Sequence, residues 1–413
     1  MTVEAATIVN GSYTPAAWHP DHRGMDFNGT SFCFIGPQDF ASPGARELDS
    51  PCDVLEYVVT PGSPIVVPNN FYGIHAFFVS TGLTQFPYGY YAKWVRSHDA
   101  AIAWADLQPI NKATPINWTN FDRWLTAAEA IGATPIYVIM TTPTWASSNP
   151  TQPCGYNLGG AAPPTNPADL TDFLSQVIAR YGSRILYWEC RNEVNILPTA
   201  TRAFFWSGTT LQLADEVKSC SQLIKASIPS AKIIAPSTVG WGTLGGGNDP
   251  TVYTPLMLTQ PVSGGATVLK DWVDLMSTHL YYFNSDQSVI PLMVQRVRAA
   301  MATAGISSMP LIDTESGILD AQYTYYTDER YLKTMLRHTL LVSTQNMISS
   351  CWYAYDGSPL GLGFNNRGPE IYSSYQALIQ ELSGATINKL VQVSDGTLVG
   401  TYTKLGREYG LYL

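Results

Sequence analysis

From about residue 69 onward two hydrophobic rhythms alternate along the chain. Short runs that are apolar almost throughout are Phe71–Phe77, Trp94–His98, Pro135–Thr141, Ile185–Glu193, Ile233–Ser237, Leu275–Tyr282, Pro310–Glu315 and Ile348–Tyr355. Such runs suit strands covered on both faces, which have no polar side to show. Between them apolar residues recur at helical spacing over Asn120–Ile131, Pro167–Tyr181, Thr210–Ser227, Ile290–Ala304, Asp328–Ser343 and Ile371–Leu382. Asn120 and Asp328 stand where N-caps are expected, and Gly132, Gly182 and Gly305 where helices should stop. Eight strands alternating with helices predict an α/β chain folded as a (β/α)8 barrel. A doubly wound sheet would want a glycine-rich turn after its first strand, and His75-Ala76-Phe77-Phe78 is not one.

The two ends follow a different rhythm. Short β-like runs at Ser31–Ile35, Val54–Thr60 and Ile65–Val67 are broken by Gly and Pro, and the tail offers Ile387–Val393, Leu398–Lys404 and Tyr409–Leu413 with turn signals at Asp395-Gly396 and Gly406. Three tail strands alone would be marginal, so head and tail are expected to pair into a small accessory β-domain. This divides the chain into an N-terminal β segment (1–68), a catalytic barrel (69–383) and C-terminal β strands (384–413). Two long stretches rich in Gly, Pro and Asn, 146–166 and 240–265, follow predicted strands and so belong at the catalytic mouth.

Composition narrows the picture. The 413 residues are 45% apolar but only 13% charged, about half the usual charged share, and the net charge is −9. That balance argues against nucleic acid or an anionic membrane as a partner, and no stretch is long and apolar enough to span a bilayer. The first residues lack the basic and apolar regions of a signal peptide. The expectation is a secreted or periplasmic protein whose leader is absent from this chain, or a phage-borne one, with a cytoplasmic location left open. None of the six cysteines forms Cys-x-x-Cys; Cys190 and Cys351 lie in predicted strands as small buried thiols, and Cys33–Cys52 is a candidate disulfide. No cofactor and no metal is expected, and the oligomeric state is unspecified.

Two of the apolar runs end on carboxylates. Tyr187-Trp188-Glu189-Cys190-Arg191-Asn192-Glu193 closes the fourth strand, and Leu311-Ile312-Asp313-Thr314-Glu315 the seventh. A pair of strand-end glutamates in a chain with 24 tyrosines and 11 tryptophans is what retaining glycoside hydrolysis needs, one as proton donor and one as nucleophile.

Six motifs in order resemble those of clan A of the glycoside hydrolases, most closely family 39, whose members include β-xylosidases, iduronidases and exopolysaccharide endoglycosidases. Trp188-Glu189-Cys190-Arg191-Asn192-Glu193-Val194-Asn195 is similar to the clan's strand-four motif and implies Glu193 as acid/base. Ile312-Asp313-Thr314-Glu315 resembles the strand-seven motif and implies Glu315 as nucleophile. Arg96-Ser97-His98, Thr142-Pro143-Thr144-Trp145-Ala146-Ser147, His279-Leu280-Tyr281-Tyr282 and Trp352-Tyr353-Ala354-Tyr355-Asp356 resemble the motifs of strands two, three, six and eight. Val194 replaces the usual Pro, and Arg191 and Ser316 stand where aromatics are common, departures that bear on sugar specificity more than on the reaction.

The residue chemistry gives roles on its own terms. Glu193 must rest protonated beside apolar surroundings and a negative Glu315, while Arg96 or Tyr281 could hold Glu315 ionised. Asn192 has donors for a sugar 2-hydroxyl, or alternatively caps the strand end. Glu189 is either a buried acid paired with a core arginine or a substrate contact. Trp352 is expected as the platform under a sugar ring, its alternative being a core tryptophan. Trp145, His98 and His279 are balanced between substrate contact and core packing. The resulting expectation is an enzyme acting on a β-linked poly- or oligosaccharide, endo-acting on exopolysaccharide, with an exo-acting xylosidase-like enzyme as the alternative. Two further readings are a metal-dependent barrel hydrolase, which would want His-x-His where strand one has only His75, and a non-catalytic carbohydrate-binding barrel.

Overall fold

The computed structural model describes residues 64–77, 86, 90–196, 205–241, 248–282, 287–318, 327–356, 369–392 and 397–413, and the backbone of five short strands nearer the N-terminus. Eight parallel strands form the centre: β1 (Tyr72–His75), β2 (Trp94–Arg96), β3 (Thr134–Ile139), β4 (Tyr187–Cys190), β5 (Lys232–Ile234), β6 (Met276–Tyr282), β7 (Leu311–Ile318) and β8 (Ser350–Trp352). They are hydrogen-bonded in the order β5-β4-β3-β2-β1-β8-β7-β6. The ends of that path meet, since Ile234 bridges Leu275 in parallel and Ala235 N donates to Leu275 O at 2.9 Å. The sheet therefore closes as a (β/α)8 barrel, the predicted fold.

The helices fall close to their predicted spans, because their apolar stripes face the strands. Pro167–Tyr181, Thr210–Ser227 and Asp328–Ser343 have the predicted limits. Asn166 caps the first by accepting from Ala168 N, and Thr209 and Gln212 cap the second reciprocally. Two cap assignments are corrected. The helix expected to begin at Asn120 starts at Thr119 with Trp118 at its cap, and Thr327 rather than Asp328 caps the helix Asp328–Ser343, accepting from Arg330 N at 3.2 Å. A helix at Pro250–Leu258 lies in the stretch expected to be loop; two prolines and a low charge density obscured its periodicity.

The lower barrel is filled by Trp94, Ile136, Ile234, Leu275, Ile312 and Cys351. Gly73 on β1 is required there, since a Cβ would lie 2.4 Å from Cys351 Sγ and 2.8 Å from Trp94 Cβ. Cys190, Cys220 and Cys351 are buried thiols; the Cys33–Cys52 disulfide involves Cys52, which lies outside the described residues.

The chain's two ends do combine. Thr386–Gln392, Leu398–Lys404 and Arg407–Tyr412 form an antiparallel sheet to which Tyr57–Val58 and Ile65–Val66 add through the first of the three. It rests on the last barrel helix, Pro369–Leu382: Tyr402 donates to Glu381, Lys404 reaches the carbonyls of Gln380 and Glu381, and Leu390, Leu398 and Leu411 join the main core. Among the described residues no helix is long and apolar enough to cross a membrane.

Candidate active site

Strand geometry brings the predicted acids together at the carboxyl end of the barrel. On β6 the inward alternation places Ser277, His279 and Tyr281 one above another. On β7 the alternation is broken: Thr278 pairs with Asp313 and His279 with Glu315, so Thr314 is an extra residue. This bulge lets both Thr314 and Glu315 face the interior, where regular pleating would admit only one. On β4 the chain leaves extended geometry after Cys190. Arg191 (φ 65°) and Glu193 (φ 41°) occupy the left-handed region, a conformation costing on the order of 1–3 kcal/mol each and kept where surroundings enforce it. Arg191 turns outward to a bidentate pair with Glu216 at 2.5 and 2.8 Å, and Ser237 Oγ accepts from Glu193 N at 3.0 Å. Asn192 and Glu193 are thereby delivered to the interior.

Arg96 is the hub. Fully buried, it donates from Nε to Glu189 at 2.6 Å, from Nη1 to Glu315 at 2.6 Å and from Nη2 to Asn192 Oδ1 at 2.7 Å. Glu189 also accepts from Thr314 and Ser277, so it is the buried acid paired with an arginine rather than a surface open to substrate. Glu315 accepts from Arg96 on one oxygen and from Tyr281 at 2.8 Å on the other. Glu193 contacts His279 Nδ1 at 2.9 Å. One carboxylate oxygen each of Glu193 and Glu315 and a ring nitrogen of His279 lie within 4.8 Å of one another.

The two acids sit in different electrostatic settings. Burial, then the charge of Glu315, pushes Glu193 well above the usual carboxylate range, and Arg96 only partly opposes this. Burial also pushes Glu315 up, to about 7, but Arg96 and the Tyr281 hydroxyl act directly on it in the opposite sense. Of the pair, Glu193 is the one that holds the proton. His279 lies well below its ordinary value through burial and the nearby Arg96, so its ring is neutral. These same groups form a cluster compact enough for a metal, yet their lone pairs are engaged: Glu315 by Arg96 and Tyr281, His279 between Glu193 and Thr314. The donor set suits proton transfer.

Some predicted residues lie elsewhere. Trp352 is not a sugar platform. Its neighbour Cys351 points into the barrel, so Trp352 points out, against the helix Asp328–Ser343, where Nε1 donates to Tyr331 OH at 3.2 Å and His338 packs 5.0 Å away. The inward aromatic is Tyr353, 6% exposed, its ring 5.1 Å from that of His75. Gly317 makes room for it, since a Cβ there would sit 3.0 Å from Tyr353 O and 3.2 Å from Tyr281. Trp145 is half-buried, edge-on to Trp104, with its indole donating to Gln108 O at 2.8 Å. His98 sits beside the pair without touching it, Nε2 being 2.7 Å from Tyr156 OH.

Residues that sequence reasoning passed over complete the rim. Asp99 takes Tyr156 OH on one oxygen and Tyr353 OH on the other, each at 2.6 Å. Tyr156 comes from the 146–166 loop, which its own bonds hold in shape, including Ser147 to Gly159 O, Asn157 to Thr142 O and Thr144 to Leu158 O. Phe205 packs against both Tyr156 and His98. Strand alternation from Cys351 could have pointed to Tyr353; nothing local in the sequence links Tyr156 to Asp99.

No protein-family model and no curated protein matches the sequence. Solved structures do resemble it. A glucosidase from Croceicoccus marinus aligns at a TM-score of 0.58 and 14% identity, covering 83% of this chain and 75% of that one. A family 39 glycoside hydrolase from the gut symbiont Bacteroides cellulosilyticus gives 0.55 and 16%, covering 84% and 79%. A family 39 enzyme from Xanthomonas axonopodis pv. citri gives 0.55 and 20%, covering 84% and 72%. At these identities the likeness is one of fold.

Proposed function

We propose that this protein is a retaining glycoside hydrolase that cleaves β-linked poly- or oligosaccharides, with Glu193 as acid/base and Glu315 as nucleophile. The observation that carries the reading is the facing pair of carboxyl groups with oxygens within 4.8 Å, one pushed well above the usual carboxylate range by burial and its neighbour's charge and the other held by Arg96 and Tyr281. Retaining enzymes need about 5–5.5 Å between carboxyl groups, whereas inverting enzymes need roughly 6.5–9.5 Å to admit a water. The structural neighbours, a glucosidase and two family 39 glycoside hydrolases, agree with it.

In this reading Glu193 protonates the leaving oxygen while Glu315 attacks the anomeric carbon. Water then cleaves the glycosyl ester, with Glu193 taking its proton. Asn192, whose Nδ2 has no partner among the described residues although the side chain is buried, has a donor to offer a sugar 2-hydroxyl. The ordered wall of residues 146–166, with Tyr156 and Phe205 at its rim, favours an open cleft and endo action on a polymer, consistent with an exported or phage-borne depolymerase of exopolysaccharide. Incubation with a panel of polysaccharides, followed by proton NMR of the first-formed anomer and mass analysis of products, tests both levels. Retained configuration and mid-chain oligosaccharides are expected. Inverted product would end the retaining assignment, and monosaccharide release alone would leave only the exo-acting alternative.

A further inference from the structure

A chain of buried hydrogen bonds runs from Glu193 away from the cleft, and counting its protons gives it a direction. His279 Nδ1 meets Glu193 Oε1 at 2.9 Å, and His279 Nε2 meets Thr314 Oγ1 at 3.2 Å. Thr314 Oγ1 lies 3.0 Å from Glu189 Oε1 and 2.6 Å from Ser277 Oγ, which is itself 3.3 Å from Glu189 Oε1. A threonine hydroxyl has one proton and two lone pairs, and a carboxylate has no proton to give. If Thr314 donates to Glu189, then Ser277 and His279 both donate to Thr314, and only the longest contact, Ser277 to Glu189 at 3.3 Å, goes without a proton. If Thr314 instead donated to His279, the Thr314–Glu189 contact would lose its proton and Ser277 could still serve only one of Thr314 and Glu189, leaving two buried contacts without a proton, at the cost of one further unmade buried hydrogen bond.

We infer that Thr314 fixes His279 as the Nε2–H tautomer, so that the bare Nδ1 of His279 faces Glu193 and keeps the proton on that carboxyl group. His279 is then a positioning residue that sets the resting protonation of Glu193. The catalytic consequence rests on the reading of Glu193 as acid/base. In glycosylation Glu193 passes its proton to the glycosidic oxygen as that C–O bond breaks and the Glu315 ester forms. The Glu193 carboxylate now faces a nitrogen lone pair that cannot stabilise its charge. It is therefore a stronger base toward the incoming water, whose hydroxide goes to the anomeric carbon as its proton returns to Glu193 and the ester bond to Glu315 breaks, releasing the Glu315 carboxylate. The β7 bulge, which lets Thr314 and Glu315 both face inward, is what makes this arrangement available.

Other groups facing Glu193 and His279 are Glu315 on β7, Arg96 and Glu189 at the centre, Asp99 and His98 beyond β2, and His75 on β1. None of them changes in the variants used here. The full chain labelled with 15N-histidine is read by two-bond proton–nitrogen correlation without substrate; of six histidines, His279 is identified by its loss in His279→Gln. The wild type and Thr314→Ser should show a bare Nδ1 and a protonated Nε2. Thr314→Val should move the proton to Nδ1, where it can donate to the Glu193 carboxylate, and Glu193 should then titrate about one pH unit lower by 13C NMR, a tenfold change in acidity. A wild-type Nδ1–H tautomer or imidazolium overturns the inference, even if Thr314→Val fails to fold. So does a folded Thr314→Val with unchanged tautomer and titration. Because no substrate is involved, a correct tautomer in a protein that cleaves no glycan would count against the functional proposal alone.

Discussion

The lower and upper halves of the barrel interior are built from the same strands and do opposite things. Trp94 and Arg96 are two positions apart on the inward face of β2, and Ile312 and Thr314 likewise on β7. Below, Trp94, Ile136, Ile234, Leu275, Ile312 and Cys351 make an apolar plug whose removal from water stabilises the fold. Above, Glu189, Glu193 and Glu315 crowd around one guanidinium, all at most 8% exposed. Burying ions costs several kcal/mol each, and shared donors on Arg96 only partly offset it. Two residues along the strand separate those kept for stability from those that a stability argument alone would not select.

The comparison breaks most decisively at Glu193. Glu193→Gln keeps the shape and removes a buried titratable acid, so thermal stability should hold or rise while turnover falls roughly a hundred- to ten-thousand-fold. The loss should be smaller on substrates with good leaving groups, which need no proton. Parallel loss of stability and activity would mean that the upper layer is ordinary core.

Ile136→Ala tests the other half. A cavity in the plug should cost about 2–5 kcal/mol in denaturant unfolding, and kcat/KM below the new melting point should stay within a fewfold of wild type. A large fall in kcat/KM in the folded variant would show that the layers are not separable.

The pH dependence sharpens the upper layer further. In the proposed mechanism, activity requires Glu315 ionised and Glu193 protonated. As pH falls through the value of Glu315, near 7, the nucleophile is neutralised; as pH rises through that of Glu193, the acid is lost. The kcat/KM profile should therefore be a bell with its acid limb near neutrality and its optimum at or above pH 7. An acid limb near the ordinary glutamate value of 4.5 would contradict the burial of the pair.

The division into layers was partly legible in the sequence. Apolar runs ending in carboxylates located both the strands and the acids, and Arg96, Asn192, His279 and Tyr281 all reach the centre. What escaped depended on pairing between strands. The bulge at Thr314 exists only in the register of β7 against β6, and the left-handed turn at Arg191 depends on Glu216 and Ser237 from later elements. Tyr353 rather than Trp352 faces inward because the inward face of a three-residue strand is set by its register, here with Cys351 inside. The Tyr156 contact to Asp99 spans two loops that no local pattern joins.

The central claim is that these two glutamates divide the labour, and trapping the covalent intermediate tests it most directly. A 2-deoxy-2-fluoro glycoside of whichever sugar the panel identifies, carrying a good leaving group, should inactivate the protein, and peptide mass mapping should find one label, on Glu315. The Glu193→Gln variant should accept the same label, since that leaving group needs no proton. A label on Glu193 or Glu189 would contradict the assignment and with it the roles given to Arg96 and Tyr281.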